Sequence, residues 1–158
     1  GVPYEMQYIM ENHVLPRLKS LNSKLTIDHR TILTVGEGES RIADRIEAIE
    51  NNLPDNIKLA YLPGLGGVRL RLSGRSNDAA QLNIQLDTQV QNIRVTIPEL
   101  IYGYGKTSLE EAVGALLLQY GKTITTAESC TGGYLAHLIT SVPGASRYFQ
   151  GSLVAYSN

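Results

Sequence analysis

The residues best suited to chemistry form one short stretch near the end of the chain, ESCTGG at 128–133. The β-branched run before it, KTITTA at 122–127, predicts a strand, and the residues that follow, Tyr134 to Ile139, predict a helix. The first amides of a helix have no acceptors within it and lie at its positive end, and glycines allow a ligand to approach the backbone closely. The sequence therefore predicts a turn that can hold a phosphate, a carboxylate or the oxyanion of an acyl-transfer intermediate.

Ser129 lies in this turn where a nucleophile elbow exposes its hydroxyl, although the GxSxG pattern is absent. On spacing alone an N-cap of the helix is the more frequent role, and the same holds for Thr131. Cys130 is a rival nucleophile, but a lone cysteine is more often a small buried apolar group. His137 lies about two helical turns on, so the base for a serine enzyme must be a lysine or a tyrosine. Glu128 either tunes Ser129 or compensates the helix dipole.

The middle of the chain supplies a separate set of elements. The predicted elements are a strand over 24–36, a helix from Ser40 to near Pro54, a hairpin with strands around 57–61 and 68–72, a helix opened by Ser76 or Asn77 and ending near Pro98, and a short apolar strand, LIYGY. The order β-α-β-β-α-β predicts an α+β fold with a split βαβ arrangement. About 80 residues are enough for a modest core of their own.

A nucleic-acid function for this unit is suggested by the GxxG sequence of its hairpin turn, GLGG at 64–67. A nucleic-acid-binding GxxG loop joins two helices, however, and a tight hairpin turn explains the glycines. The strand that follows carries alternating arginines: Arg69, Arg71 and Arg75. Acidic residues near them in sequence include Asp55, Asp78, Asp87 and several within 37–50. Because these charges should cancel, nucleic acid is not expected to bind.

The composition sets the class of protein. Among 158 residues, 14 Lys and Arg face 15 Asp and Glu, so no global field attracts nucleic acid or an anionic membrane. The single cysteine excludes a disulfide framework and a multi-cysteine metal cluster, and it suits a reducing compartment. No apolar run approaches the roughly 18 residues that a membrane span needs. We expect a soluble, cytoplasmic protein without a membrane partner.

The two ends of the chain carry elements without obvious partners. Apolar residues at helical spacing predict a helix that begins after Pro3 and is closed by Pro16: Met6, Ile9, Met10, Val14 and Leu18. A capping box at Ser108 and Glu111 opens another helix, whose apolar face is predicted to consist of Leu109, Ala112, Val113, Leu116 and Leu117. The run SLVAYSN predicts a strand. We interpret 1–20 and 104–158 as pieces of two flanking domains and 21–103 as a complete domain between them.

The segment TAESCTGGYLAHLITSVPGASRYFQGSLVAYSN, 126–158, resembles the start of the CinA C-terminal domain, the family of nicotinamide-nucleotide amidohydrolases. The agreement covers about 33 residues in one register, with minor variants at 139–140 and 145–146. Elsewhere, GVPYEM…VLPRL resembles the last helix of the family's molybdopterin-binding-like domain, GEGES…PGLGGVRLRLSGR its KH-like domain, and YGYGKTSLEEAVGALL the lead-in to the amidohydrolase domain.

The resemblance implies hydrolysis of the carboxamide of nicotinamide mononucleotide to nicotinate mononucleotide and ammonia, a step of pyridine nucleotide salvage. It implies that Ser129 is the nucleophile and that Thr131, Gly132 and Gly133, with Glu128 beside them, line the substrate or oxyanion site.

The activating base implied by the resemblance is a lysine a few residues past the YSN motif, beyond Asn158, so the chain alone is expected to be inactive. Tyr156 can form a hydrogen bond in the site or pack in a core. A small nucleotide substrate, no cofactor, no metal and a homodimer are also implied. The alternative is a non-catalytic nucleotide-binding or assembly module in which the TGG turn holds a phosphate.

Overall fold

The computed structural model describes residues 2–21, 25–64 and 66–157. The regular elements in chain order are α1 (Pro3–Ile9), a π-helical turn (Met10–Val14), α2 (Leu15–Leu21), β1 (Thr26–Thr34), α3 (Glu39–Glu50), β2 (Ile57–Gly64), β3 (Gly67–Ser76), α4 (Ala79–Thr96), a 3-10 turn (Pro98–Leu100), β4 (Ile101–Tyr104), α5 (Leu109–Gln119), β5 (Ile124–Glu128), α6 (Tyr134–Thr140), a 3-10 turn (Ala145–Arg147) and β6 (Phe149–Val154). Lys24 of the first predicted strand, Leu65 of the hairpin turn and Asn158 lie outside the described residues.

The predicted β-α-β-β-α-β order is confirmed for the middle of the chain. Its four strands form one antiparallel sheet in the order β2-β3-β1-β4, so β3 lies between β1 and β2, as a split βαβ arrangement requires. Helices α3 and α4 pack on one face of this sheet. The buried core between them consists of Ile32, Ile42, Ile46, Ile57, Val68, Leu70, Leu72, Leu82, Leu86, Ile93, Ile97 and Leu100.

The helix starts in this unit differ from the predicted ones. Helix α3 begins one residue before Ser40, with Gly38 as its N-cap, and it ends at Glu50 rather than near Pro54. Helix α4 is capped by Asp78, whose carboxylate accepts from the amide of Gln81 at 3.0 Å. A carboxylate at this position accepts a charge-assisted hydrogen bond and offsets the helix dipole, which explains why Asp78 is the cap rather than Ser76 or Asn77.

The N-terminal helix continues past Pro16 to Leu21, so the prediction that the proline closes it is wrong. The turn before the proline is π-helical, and the amide of Leu15 donates to the carbonyl of Met10, five residues back. Such a widened turn accommodates a residue that has no N–H to donate. No residue of these helices is buried, and Met6 and Leu18 are 59% and 50% exposed.

The last part of the chain forms a smaller βαβ unit in which β5 and β6 pair in parallel and α6 connects them. The capping box of α5 is confirmed by both of its hydrogen bonds. Its predicted apolar face is wrong in part, because Leu109, Val113 and Leu116 are exposed and the buried position of the helix is Gly114. Among the described residues, no helix has both the length and the apolar character needed to cross a membrane.

Candidate active site

Ser129 lies at the carboxyl end of a parallel strand, next to the end of a second one. It follows Glu128, the last residue of β5, which is in register with Val154, the last residue of β6. The amide of Ala155 donates to the carbonyl of Glu128 at 2.8 Å and extends this pairing by one step. Tyr156 follows directly, so it leaves the sheet at the same edge as Ser129. Ligands of α/β proteins bind at this edge, beyond the carboxyl ends of the strands.

Two successive tight turns carry the chain from β5 into α6. The amide of Gly132 donates to the carbonyl of Ser129, and the amide of Tyr134 donates to the carbonyl of Thr131, each at 2.9 Å. Both glycines of the turn are left-handed, with φ of 57° at Gly132 and 94° at Gly133. Any side chain at these two positions would strain the backbone, so the turn itself favours both glycines.

Glu128 binds the start of α6 and holds the turn closed. Its side chain is buried, and its two carboxylate oxygens accept from the amides of Leu135 and Ala136, both at 2.9 Å. The hydroxyl of Ser152 donates to the same carboxylate at 3.2 Å, and that of Thr131 also bonds to it. From the sequence, these first helical amides are predicted to receive a phosphate or an oxyanion. That expectation is corrected, because the chain's own carboxylate already occupies them.

These contacts fix the protonation state of Glu128. Burial raises the pKa of its carboxyl, but the amides of Ala136 and Leu135 and the hydroxyls of Thr131 and Ser152 lower it more, to about 2. The carboxylate is therefore ionised at neutral pH and does not exchange protons there. Of the two roles considered for Glu128, compensation of the helix dipole is the one that these contacts favour. Its assignment as a substrate-binding residue stays a prediction.

Ser129 is exposed, and its hydroxyl has no hydrogen-bond partner among the described residues. The N-cap of α6 is Gly133, without a side-chain cap, so the alternative that Ser129 or Thr131 is the N-cap is wrong. Within the described part of the chain, the amides of Cys130, Thr131 and Gly133 also have no acceptor. The turn thus presents an unpaired hydroxyl together with unpaired N–H donors.

The other candidate groups do not assemble a base around Ser129. Cys130 is exposed, which contradicts the buried apolar alternative and leaves a second nucleophile in the turn. His137 stacks on Tyr134, with ring centroids 6.1 Å apart, and it makes no hydrogen bond to Ser129. Tyr156 lies beyond β6 and is 78% exposed, so it does not pack in a core. Among the described residues, no group of three or more His, Cys, Asp or Glu side chains could hold a metal ion.

Ser152 is the site residue that the sequence analysis missed. It lies on β6 in register with Thr126, and its hydroxyl reaches the carboxylate of Glu128 across the strand pair. The signal that could have found it is the parallel pairing of β5 with β6, since the strand was predicted but its register was not.

Comparison with known proteins places these elements in a family. Residues 29–103 match the damage-inducible protein CinA KH domain, and residues 106–158 match the CinA C-terminal domain. The CinA-like protein of Flavobacterium psychrophilum is 51% identical over 99% of this chain and 38% of its own length. The CinA-like protein of Cytophaga hutchinsonii is 47% identical over 100% of this chain and 38% of its own length.

A relative named putative competence-damage inducible protein, from Halothermothrix orenii, is 39% identical over 100% of this chain and 38% of its own length. The chain therefore spans 38% of the length of each of these relatives. Two matched domains together cover most of the residues, the similarity runs through the whole chain, and both agree with the fold. The chain belongs to the CinA family.

Proposed function

We propose that a CinA protein containing this chain hydrolyses the carboxamide of nicotinamide mononucleotide and that Ser129 is its nucleophile. One observation carries the proposal: the hydroxyl of Ser129 is exposed and unpaired at the carboxyl end of β5, in the segment that matches the CinA C-terminal domain. A serine that served only the fold would be expected to cap α6, and Ser129 does not. The resemblance supplies the substrate.

The reaction is an acyl transfer in two steps. The Oγ atom of Ser129 attacks the carboxamide carbon, and the proton of the hydroxyl passes through a base to the leaving nitrogen. The carbon–nitrogen bond then breaks, so that ammonia departs and an ester of Ser129 remains. Water then adds to the ester carbon and the serine oxygen leaves with a proton, which yields nicotinate mononucleotide and regenerates the hydroxyl. Each step passes through a tetrahedral oxyanion.

The turn that carries Ser129 offers donors for that oxyanion. The unpaired amides are those of Cys130, Thr131 and Gly133, and backbone donors fixed in place need no reorganisation when charge develops. Glu128 acts as a positioning residue in this scheme. It anchors β5 to α6 at both ends of the turn through hydrogen bonds of 2.9 Å, and it stays ionised throughout the neutral range.

The base is the part of the scheme that the described residues do not provide. His137 stacks on Tyr134, no hydrogen bond joins it to Ser129 in the described part of the chain, and Tyr156 is exposed. The resemblance implies a lysine a few residues past Tyr156, along the segment that leaves the sheet beside Ser129. A lysine there could accept the proton of the hydroxyl, in a serine–lysine arrangement.

The test is ammonia release from nicotinamide mononucleotide by a full-length CinA protein that contains these residues. Ser129→Ala should reduce kcat at least about a thousandfold, since loss of a nucleophile removes the covalent route. Two control variants, Cys130→Ala and Ser141→Ala, should retain activity. The first removes the rival nucleophile. The second removes an exposed hydroxyl at the far end of α6, which among the described residues bonds to the carbonyl of Leu138 alone.

Retained turnover in the Ser129→Ala variant would contradict the assignment. Binding of nicotinamide mononucleotide without any turnover by the wild-type protein would instead support the alternative, a nucleotide-binding or assembly module. The chain of 158 residues alone is expected to release no ammonia. Release that depends on Ser129 in this chain would show that the base lies within it.

A further inference from the structure

A serine and a histidine meet outside the turn at Ser129, on the four-stranded sheet. Nδ1 of His29 lies 2.9 Å from Oγ of Ser73, across the paired strands β1 and β3. The two residues are 44 positions apart in the sequence, so the register of the strands brings them together. A hydroxyl within hydrogen-bond reach of an imidazole is the pair from which many serine nucleophiles are built.

Both side chains stand on the face of the sheet that the helices do not cover. Gly74 faces the opposite way, since a Cβ there would meet Leu82 of α4, and successive strand residues alternate between the two faces. His29 is exposed and Ser73 is half-buried. A small reactant can therefore reach both groups from solvent, although the same face is closed further along β1, where Leu33 is 3% exposed.

The hydrogen bond between Ser73 and His29 has the polarity of a nucleophile and its base when the imidazole carries its proton on Nε2. Nδ1 then accepts from the hydroxyl and can take its proton as the oxygen attacks a carbonyl carbon, which is general-base catalysis. Within the described ranges no carboxylate bonds to the ring of His29. The pair is therefore a dyad and not a triad.

Two cations stand next to this pair. Lys58 of β2 is directly opposite Ser73, so His29, Ser73 and Lys58 form one row across three strands. Directly opposite side chains have Cβ atoms about 4.5–5.5 Å apart. Arg75 follows on the same face of β3, and neither it nor Lys58 forms an ion pair with any described residue. Unpaired positive charges beside a nucleophile favour an anionic reactant.

A recess of about 220 Å³ lies beside the serine. Its lining includes Ser73, Lys58 and Arg75. Asp55 also lines it and pairs with neither cation among the described residues, so two cations and one carboxylate leave the recess positive. Pockets for drug-sized ligands begin at about 300 Å³, so a reactant that fits here must be small.

The backbone around Ser73 restricts the reactant further. β3 is an inner strand that pairs with β1 and β2, so its amides are engaged in the two ladders and this described strand offers no oxyanion hole. An unactivated amide or ester would need such donors, whereas an acyl phosphate carries its own good leaving group. Its phosphate also has the negative charge that Lys58 and Arg75 attract.

We propose that Ser73 is an acylation site, at which the hydroxyl, activated by His29, takes the acyl group of a small acyl phosphate. The Oγ atom attacks the carbonyl carbon, and its proton passes to Nδ1 of His29. The bond between the carbonyl carbon and the phosphate oxygen then breaks, the phosphate leaves with the bonding electrons, and an ester of Ser73 remains. The imidazolium gives its proton to the departing phosphate, which Lys58 and Arg75 attract. This site is independent of the proposed hydrolase site at Ser129.

The first test is acetylation of the full chain by acetyl phosphate, mapped by mass spectrometry. Cleavage after Arg71 and Arg75 releases residues 72–75, in which Ser73 is the one hydroxyl side chain, so an acetyl group on that peptide is assigned directly. Alkaline hydroxylamine removes the acetyl group from a serine ester and leaves acetyl-lysine intact. Ser141 is the control, because its exposed hydroxyl bonds to the carbonyl of Leu138 and should stay unmodified.

The second test uses variants of the dyad. His29→Gln should slow acetylation of Ser73 about a hundredfold, the usual order of a general-base contribution. His13→Gln is the matched control, since this exposed histidine lies in the N-terminal helical segment, and it should leave the rate unchanged. Circular dichroism of each variant establishes that it is folded.

The third test concerns the two cations. Lys58→Gln with Arg75→Gln should raise the acetyl phosphate concentration for half-maximal rate about fivefold or more, because the phosphate loses both charges. Acetylation of Ser73 by p-nitrophenyl acetate, which is uncharged, should not change in this double variant.

Four results would overturn the proposal. They are the absence of an acetyl ester on Ser73, an unchanged rate in His29→Gln, acetylation of Ser141 at the rate of Ser73, and a phosphoryl group on Ser73 in place of the acetyl group. The third would mean that acetyl phosphate reacts with any exposed hydroxyl, and the last would assign phosphoryl transfer to the site.

Discussion

The unit from β1 to β4 and the unit from β5 to β6 use similar apolar residues, but only the first encloses them. The first unit buries twelve side chains between four strands and two helices. The buried cluster of the second consists of Ile139, Ala145 and Tyr148, while Leu135 and Leu153 are 45% and 68% exposed. Two strands and a short helix do not supply enough surface to cover each other. The number of strands and helices that pack on one another, rather than the hydrophobicity of the sequence, decides which unit has a core.

The same contrast separates the exposed charges of the first unit from the turn at Ser129. The exposed arginines of β3, Arg69 and Arg71, stand on an inner strand of the four-stranded sheet, so packing beneath that strand fixes its position. The turn at Ser129 is fixed by polar contacts instead, chiefly those of Glu128 with the amides of Leu135 and Ala136. The surface of the first unit therefore depends on packing, whereas the proposed catalytic turn depends on hydrogen bonds.

The largest expected effect comes from a comparison of Leu70 in the first unit with Leu116 on α5, the helix that precedes the second unit. Leu70 is fully buried at the centre of the first sheet, so Leu70→Ala should lower the free energy of unfolding by about 2–5 kcal/mol. Leu116 on α5 is 52% exposed, and Leu116→Ala should change the free energy of unfolding by less than about 1 kcal/mol. Urea unfolding of the full chain measures both. Equal losses would break the comparison, because they would mean that α5 is packed as tightly as β3.

The periodicity of the sequence predicts most of the first unit and little of the second. Alternation in β3 and three-and-four spacing in α4 mark their buried faces directly, since each of these elements meets one continuous core. In α5 the apolar residues run around much of the helix, so the pattern does not show that Gly114, rather than Val113 or Leu116, is the point of contact.

The candidate site is predictable as a turn, but its electrostatics are not. The ESCTGG sequence locates the left-handed glycines and the exposed serine, as the structure has them. Glu128 accepts from the amide of Leu135, seven residues later, because two tight turns bring the start of α6 back to the end of β5. Such geometry leaves no periodic pattern in the sequence. The charges of β3 escape prediction for a related reason: alternation places Arg69 and Arg71 on one face of the sheet, but it does not show that Asp28 and Asp87 bind Arg30 instead of these arginines.

A second test measures how tightly Gly114 on α5 packs against Tyr148, a buried residue of the second unit. A Cβ at Gly114 would lie 2.7 Å from Cζ of Tyr148, which is 2% exposed. Gly114→Ala should therefore cost about 1–2 kcal/mol despite the better helix propensity of alanine. Gly64→Ala is the control, because nothing lies within 4 Å of the added atom. Thermal unfolding compares them, and a stabilised Gly114→Ala variant would show that Tyr148 can move aside.

Removal of one tyrosine hydroxyl from each unit should give smaller changes in the free energy of unfolding, with opposite signs. The hydroxyl of Tyr61 donates to Glu50 at 2.6 Å, so Tyr61→Phe should cost about 1 kcal/mol. The hydroxyl of Tyr148 is buried without a partner among the described residues, so Tyr148→Phe should be neutral or stabilise by up to about 1 kcal/mol. Urea unfolding of the two variants against the wild type gives the signs. A destabilised Tyr148→Phe variant would imply that this hydroxyl has a partner in solution.

The last expected effect is confined to low pH and to the turn at Ser129. The folded pKa of Glu128 is about 2, below its ordinary value of 4.5, so its ionised form stabilises the turn. That stabilisation is complete above about pH 5 and is lost as the pH falls through 4.5 towards 2. Hydrogen-exchange protection of the Leu135 and Ala136 amides should follow this range in the wild type. In Glu128→Gln, protection of the same amides should be weaker at neutral pH and nearly independent of pH. Amides of the first unit's core, such as that of Leu70, serve as the reference. If protection of the Leu135 amide in the wild type did not fall at low pH, packing rather than the Glu128 carboxylate would hold the turn. The contrast between a packed first unit and a hydrogen-bonded turn would then fail at the proposed catalytic site.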